Sequence, residues 1–180
     1  MNIDEIRDTI RSEFKMLGIT NRQVGLTVQF AGYSISIKAS IKDFTLNEKM
    51  IAEVVNKHRS VSRDERTGEV LEGGNTFVSI SYDYDKMHFQ MDLRKDRALE
   101  IEKQLKSAGN ANGIELFETE KYLVVVFPSY HLGNGLGNIH VRDKINSSVR
   151  HEFYNNPCKC IEDIQRFLVF YDFQLSKEKV

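Results

Sequence analysis

The sequence is poor in cysteine, has no surplus of charge of either sign, and contains no long hydrophobic run. Two cysteines in 180 residues, both near the C-terminus, cannot staple a small secreted scaffold. No stretch of 18 apolar residues is present to cross a bilayer, and no charged-then-apolar leader opens the chain, so a cytoplasmic protein is expected. Lys and Arg number 25 against 26 Asp and Glu, for a formal charge of -1 and a pI near 6.5. Residues 1–90 carry 12 basic and 13 acidic residues and residues 91–180 carry 13 of each, so neither half hides a basic domain. Such a balance excludes a global field that would gather nucleic acid or anionic membrane; any polyanion must be held by a local patch. Repeats of fixed period and low-complexity tracts are also lacking.

What is present is alternation of helical and strand periods. Ile3, Ile6, Ile10, Phe14 and Leu17 fall on one helical face, with Asn2 to cap it and Gly18 to end it. Between Val24 and Ile41 the period drops to two, in the sets Val24, Leu26, Val28, Phe30 and Tyr33, Ile35, Ile37, Ala39, Ile41, which predicts a hairpin turning at Ala31-Gly32. A helix over about 46–58 follows, with Thr45 and Glu48 at capping-box spacing. The charged, turn-rich run Arg59 to Asn75 reads as a short hairpin turning at Thr67-Gly68 or as a mobile loop. Thr76 to Tyr82 is a strand, and an acidic, tyrosine-rich stretch to Asp85 closes the first half.

The second half predicts a helix over about 93–108, strands over 114–118 and 122–127, and a glycine- and asparagine-rich loop over 129–138. A last helix starts at Asn156-Pro157 and carries Ile161, Ile164, Leu168, Tyr171 and Leu175. The expected fold is α+β, two small lobes of antiparallel strands packed on helices, with a division into 1–88 and 89–180.

Among motifs that could carry chemistry, Gly133-Asn-Gly135-Leu-Gly137 follows a strand, but the spacing fits neither a dinucleotide fingerprint nor a phosphate loop, and a flexible turn is expected. His131, His140, His151, Cys158 and Cys160 lie within thirty residues, yet their spacing matches no closed zinc site. Neither a metal nor a cofactor is expected. The two cysteines are read as helix-start residues whose thiols the helix N-terminus could acidify, without a visible orienting partner. Asp83 and Asp85, or Glu118 and Glu120, could hold a divalent ion with Lys86 or Lys121 near an attacking water, but both sets are read as solvated strand edges. His131, His140, Arg142 and His151 are the candidates for a metal-free ribonuclease, as proton carriers and a phosphate clamp.

The richest feature is the charged run with the hairpin beside it. Ser34, Ser36, Lys38, Ser40 and Lys42 occupy the polar hairpin face. Arg22, Arg59, Arg63 and Arg66 would join it as a basic strip if the run folds back, interrupted by Asp64, Glu65, Glu69 and Glu72. Mixed charge of this kind favours steering toward a protein partner, with RNA backbone contact through Arg22, Lys38, Lys42 and Arg59 as an addition.

The same stretch also carries a likeness. Gly32-Tyr33-Ser34-Ile35-Ser36-Ile37, Ile41-Lys42-Asp43, Arg63-Asp64-Glu65 with Thr67-Gly68-Glu69-Val70-Leu71, and Gly73-Gly74-Asn75-Thr76-Phe77-Val78 resemble the large polyvalent-protein-associated domains of phages and conjugative elements, over roughly residues 20–84. The resemblance implies a mobile-element protein working against host defence, since similar domains occur in anti-CRISPR proteins directed at type II Cas9. It implies a Cas9–guide RNA complex as partner and inhibition of target DNA binding or cleavage in the cytoplasm of a bacterial host; the mixed-charge surface then offers Arg63, Asp64, Glu65, Arg66, Glu69, Glu72, Asp83 and Asp85 as the contact residues. The alternatives are an effector-dependent ribonuclease that shortens the guide and a nucleic-acid-binding accessory of a mobile element. A homodimer is also expected as an option, because Phe167, Phe170, Tyr171 and Phe173 fall on more than one helical face.

Overall fold

The computed structural model describes residues 2–71, 74–108, 113–128, 135–145 and 150–176, without the side chains of 150–157. The chain divides into two compact units, Met1–Lys86 and Met87–Val180.

In the first unit, α1 (Ile3–Met16) starts where the Asn2 side chain accepts the Asp4 backbone N–H at 3.1 Å, and it buries Ile6, Ile10 and Phe14. Strands β1 (Val24–Ala31) and β2 (Ser34–Ile41) pair antiparallel with Ala31 opposite Ser34, so the turn is Gly32-Tyr33 rather than Ala31-Gly32. Gly32 takes φ +61°, a conformation only glycine adopts cheaply. The next helix, α2 (Glu48–Val55), is shorter than expected and is capped by Asn47, which accepts the Lys49 N–H at 2.8 Å. Thr45 lies two residues before that cap, and its N–H and hydroxyl both donate to Asp43, at 3.0 and 2.6 Å. A 3₁₀ turn, Asn56–His58, follows.

Strand β3 (Thr76–Tyr82) lies beside β2 and runs parallel to it, giving a three-stranded sheet in the order β1-β2-β3. The expected antiparallel pair is β1 with β2, and β3 adds a parallel neighbour to it. The route from β2 to β3 through α2 is a crossover, and a crossover returns the chain in the same direction. Val24, Val28, Ile35, Ile37, Ala39 and Ile41 of the sheet close on Ile6, Ile10, Phe14, Ile51, Val54 and Val55 of the helices.

The edge of β1 is guarded from its own unit. Gln23 turns its carbonyl to Lys42, so the alternate backbone groups of Val24 and Val28 face outward. Arg11 donates to the Val24 carbonyl at 3.0 Å and Arg7 to that of Val28 at 3.1 Å. Charge placed along an open edge blocks pairing with another chain. Arg7→Ala combined with Arg11→Ala should therefore promote concentration-dependent self-association, read by light scattering against the wild-type chain.

The second unit begins inside α3 (Tyr84–Asp92), a helix absent from the sequence expectation, and continues with α4 (Lys95–Ser107). Strands β4 (Ile114–Glu118), β5 (Tyr122–Pro128), β6 (Gly137–Asp143) and β7 (Arg150–Cys158) form an antiparallel sheet in sequence order. Two of these correct the expectation: β6 takes up the end of the supposed loop, and Asn156-Pro157 lies in β7 instead of opening a helix. Proline is compatible with β7 because that strand is at the edge, where one N–H per residue pair has no ladder partner. Helix α5 (Ile161–Phe170) starts later and runs into a π turn, Tyr171–Leu175. The Asp163 carboxylate secures its start by accepting the N–H groups of Lys159 and Cys160, at 2.8 and 3.2 Å. Ile164, Phe167 and Leu168 pack with Ala98, Ile101 and Leu105 on Val124, Val126, Ile139 and Val141. The α+β architecture of two sheet-and-helix lobes is thus present. No helix among the described residues is long and apolar enough to cross a membrane.

Candidate partner-docking surface

Of the two readings of the charged run, the hairpin is the one the chain adopts. Arg63 bridges Val70 across it, the Asp64 N–H donates to the Glu69 carbonyl at 2.8 Å, and the Leu71 N–H to the Ser62 carbonyl at 3.0 Å. The turn is built by Asp64, whose Oδ1 accepts the N–H of Arg66 at 2.9 Å, the N–H of Thr67 at 2.7 Å and the Thr67 hydroxyl at 3.2 Å. Gly68 closes it at φ +72°, donating to the Asp64 carbonyl at 2.9 Å, while its own carbonyl accepts from the Arg63 guanidinium at 2.9 Å.

These donors hold the Asp64 carboxyl below the ordinary carboxylate range, the Thr67 N–H contributing most, then that of Arg66 and the Thr67 hydroxyl. A depressed folded pKa means that the turn gains from ionised Asp64 above the ordinary pKa and loses that gain as pH falls through the folded one. On acidification into that range the Arg66 and Thr67 amides should lose hydrogen-exchange protection, and in Asp64→Ala they should lack it at every pH.

Asn75 fastens the hairpin to the sheet. The residue is 2% exposed, and its side chain accepts the Ser62 N–H at 2.7 Å and donates to the Leu71 carbonyl at 2.6 Å. Its backbone carbonyl accepts from Ile35, Gly74 donates to the Tyr33 carbonyl at 3.0 Å, and Ser60 pairs with Thr76. One end of the first unit therefore gathers the β1–β2 turn, the start of β3 and the charged hairpin. Phe30, Tyr33, Val70 and Leu71 are all exposed there, Tyr33 at 91%. Exposed apolar residues with exposed Arg66, Glu65 and Glu69 on the same hairpin make this end a candidate docking surface. The apolar members were not singled out from the sequence. A tyrosine placed in a two-residue turn, and Val70-Leu71 inside a charged run, were the available signals.

The strand register sorts the expected contact residues into two groups. Arg59, Arg63, Asp64, Glu65, Arg66 and Glu69 belong to the hairpin end, though the Asp64 carboxylate is consumed inside the turn and Arg63 is bonded to Gly68. Glu72 lies outside the described residues. Asp83 and Asp85 follow the other end of β3, seven residues or about 23 Å away at a strand rise of about 3.3 Å per residue. Asp83 accepts the Lys86 N–H at 3.2 Å and the Ser40 hydroxyl at 3.5 Å. Arg22, just ahead of β1, sits at that far end too, because Val24 pairs with Ile41. The single basic strip through Arg22, Arg59, Arg63 and Arg66 therefore does not form. Lys38 and Lys42 lie on or beside β2, on the sheet face turned away from the helices.

In the second unit His140 and Arg142 share a face of β6 and converge on Phe127, the imidazole edge-on with centroids 5.0 Å apart and the guanidinium 5.1 Å from the ring centre. His131 lies outside the described residues, as does the side chain of His151. Among the described residues no cluster of three His, Cys, Asp or Glu side chains could hold a metal. The cysteines are not on a first helical turn: Cys158 ends β7 and Cys160 precedes α5. Burial pushes the Cys158 thiol up to about 12, helped by the nearby Asp163, Cys160 and Glu102. Cys160 is raised as well, chiefly by its hydrogen bond with Glu162. Raised values keep both thiols protonated at neutral pH, opposite to the acidification considered for a helix start. Alkylation followed by mass spectrometry should find Cys158 unmodified in the native protein at pH 7 and modified after unfolding.

No family model, curated protein or solved structure matches the chain.

Proposed function

We propose that this protein is a counter-defence factor of a phage or conjugative element that docks on a Cas9–guide RNA complex and inhibits target DNA binding or cleavage. The observation that carries the reading is the braced hairpin end, where exposed Tyr33, Val70 and Leu71 stand among Glu65, Arg66 and Glu69. It coincides with the segment that resembles polyvalent-protein-associated domains. Apolar anchors inside a charged rim are the anatomy of a protein interface, and the fastened turn lowers the entropy lost on docking. Carboxylates at the rim can meet the lysines and arginines of a nucleic-acid channel and displace the strand those cations would hold.

The test is a target-cleavage reaction with Cas9 and guide RNA, to which the protein is added, with DNA and guide both resolved on a denaturing gel. Uncut target and intact guide support docking. A shortened guide would transfer the mechanism to the second unit, with His140→Ala and Arg142→Ala as the first variants. Full cleavage at a large excess of protein rejects the proposal.

A further inference from the structure

The outer face of the three-stranded sheet has a composition that docking at the hairpin end does not use. Core residues of β1 and β2 point toward α1 and α2, so their strand neighbours stand on the opposite side. The register puts Thr27, Lys38 and Ser79 in one row, and Gln29, Ser36 and Phe77 in the next. Thr27, Lys38, Ser79 and Gln29 are exposed, and Phe77 is 42% exposed on this polar face, where no core needs it. Beyond the first row Lys42 lies across the sheet at Gly25, its Cε 3.3 Å from where a Cβ of that residue would stand. Neither Lys38 nor Lys42 has an ion-pair partner among the described residues. The carboxylate at this margin, Asp83, is engaged by Ser40 and the Lys86 N–H.

Phe77, Lys38 and Lys42 thus follow one another along the sheet. Lys38 is one row and one strand from Phe77, a diagonal of about 7–8 Å, and Lys42 is about 13 Å further along β2 at the usual rise. An aromatic platform followed by a line of free ammonium groups on an open, small-residue surface suits a ligand with a stackable base and a run of phosphates. We infer that this face binds single-stranded nucleic acid, with a base on Phe77, phosphates at Lys38 and Lys42, and hydrogen bonds from Thr27 and Ser79. The local charge is positive here although the chain as a whole is near neutral, which makes the contact short and salt-sensitive. The inference is independent of Cas9 docking, since it concerns the isolated protein and another face.

Fluorescence anisotropy with labelled single-stranded RNA, single-stranded DNA and a duplex of the same sequence, without Cas9, tests it. Binding of a single strand is expected, weakening as salt rises from about 50 to 200 mM. Phe77→Ala should reduce it about tenfold, the loss of one stacked base. Lys38→Gln with Lys42→Gln should reduce it further and lower the salt slope by about two. A preference for RNA or for DNA identifies which strand the face receives, and either supports the inference. Duplex binding equal to single-strand binding, affinity unchanged in the correctly folded variants, or no single-strand binding at the lower salt would each overturn it. So would loss of Cas9 association in these variants without any binding of free strands, because the face would then be a protein-docking surface. Circular dichroism and melting temperature establish that the variants, all at exposed or half-buried positions, are folded.

Discussion

Asn75→Ala should release the charged hairpin from the sheet at a cost of about 1–3 kcal/mol, the penalty of leaving partly buried polar groups unpaired. The substitution strips the Ser62 N–H and the Leu71 carbonyl of their Asn75 partners at once. The urea midpoint should fall, and amide exchange should accelerate first at Ser62, Asp64 and Leu71, whose hydrogen bonds hold the hairpin together. Asn75→Asp keeps the acceptor for Ser62 but turns an oxygen toward the Leu71 carbonyl and buries a charge, so at neutral pH it should destabilise at least as much as alanine. Because the hairpin would then have to be ordered on binding, affinity for a partner at this end should fall by more than the contacts of Asn75 alone explain. Unaltered exchange in Asn75→Ala would show that the hairpin is held by its own turn.

Phe167→Ala should destabilise the second unit by about 3–5 kcal/mol, the range for emptying an aromatic site in a packed core. Phe167 is 0% exposed and stacks with Phe117 at 6.4 Å between ring centres, with Tyr171 a further 6.3 Å contact. Arg97 lies over the Phe117 ring at 4.4 Å and is held by Asp172 at 3.1 Å, so the void would be bordered by a cation as well as by rings. Chemical denaturation followed by far-ultraviolet circular dichroism measures the loss. The same contacts bear on self-association. The aromatics that suggested a dimer from the sequence are buried or half-buried within the chain, so they provide little free surface for a second copy.

Local periodicity made much of the fold legible. The stripe Ile6, Ile10, Phe14 gave α1, the alternation from Val24 to Ile41 gave the hairpin, and the apolar run at 122–127 gave β5 at an interior position of its sheet. Features that depend on distant pairing were not legible. The parallel approach of β3 to β2 follows from where the crossover lands, and α3 buries only Met91, which leaves no stripe to detect. Ile139 and Val141 do alternate in β6, but the glycines ahead of them read as a loop. Asn156-Pro157 carries a helix-start signal that an edge strand accommodates equally well.

The site divides in the same way. The turn at Thr67-Gly68 was readable in sequence, as was the strand that follows Asn75. That Asp64 spends its carboxylate internally, and that Asp83, Asp85 and Arg22 stand at the other end of the sheet, required the register. Charge in the chain order mixed two surfaces that the fold separates.

Binding of the Cas9–guide RNA complex by Leu71→Asp and by Asp83→Asn with Asp85→Asn, compared with the unaltered protein in one titration, tests most directly whether the hairpin end is the docking surface. Leu71 is exposed, so the aspartate leaves the fold intact while putting a charge into the apolar centre. The expected result is a loss of about thirtyfold for Leu71→Asp, the worth of an apolar anchor at about 2 kcal/mol, with the far-end variant binding as the unaltered protein does. Unchanged affinity in Leu71→Asp, or a loss confined to the Asp83 and Asp85 variant, would contradict the account.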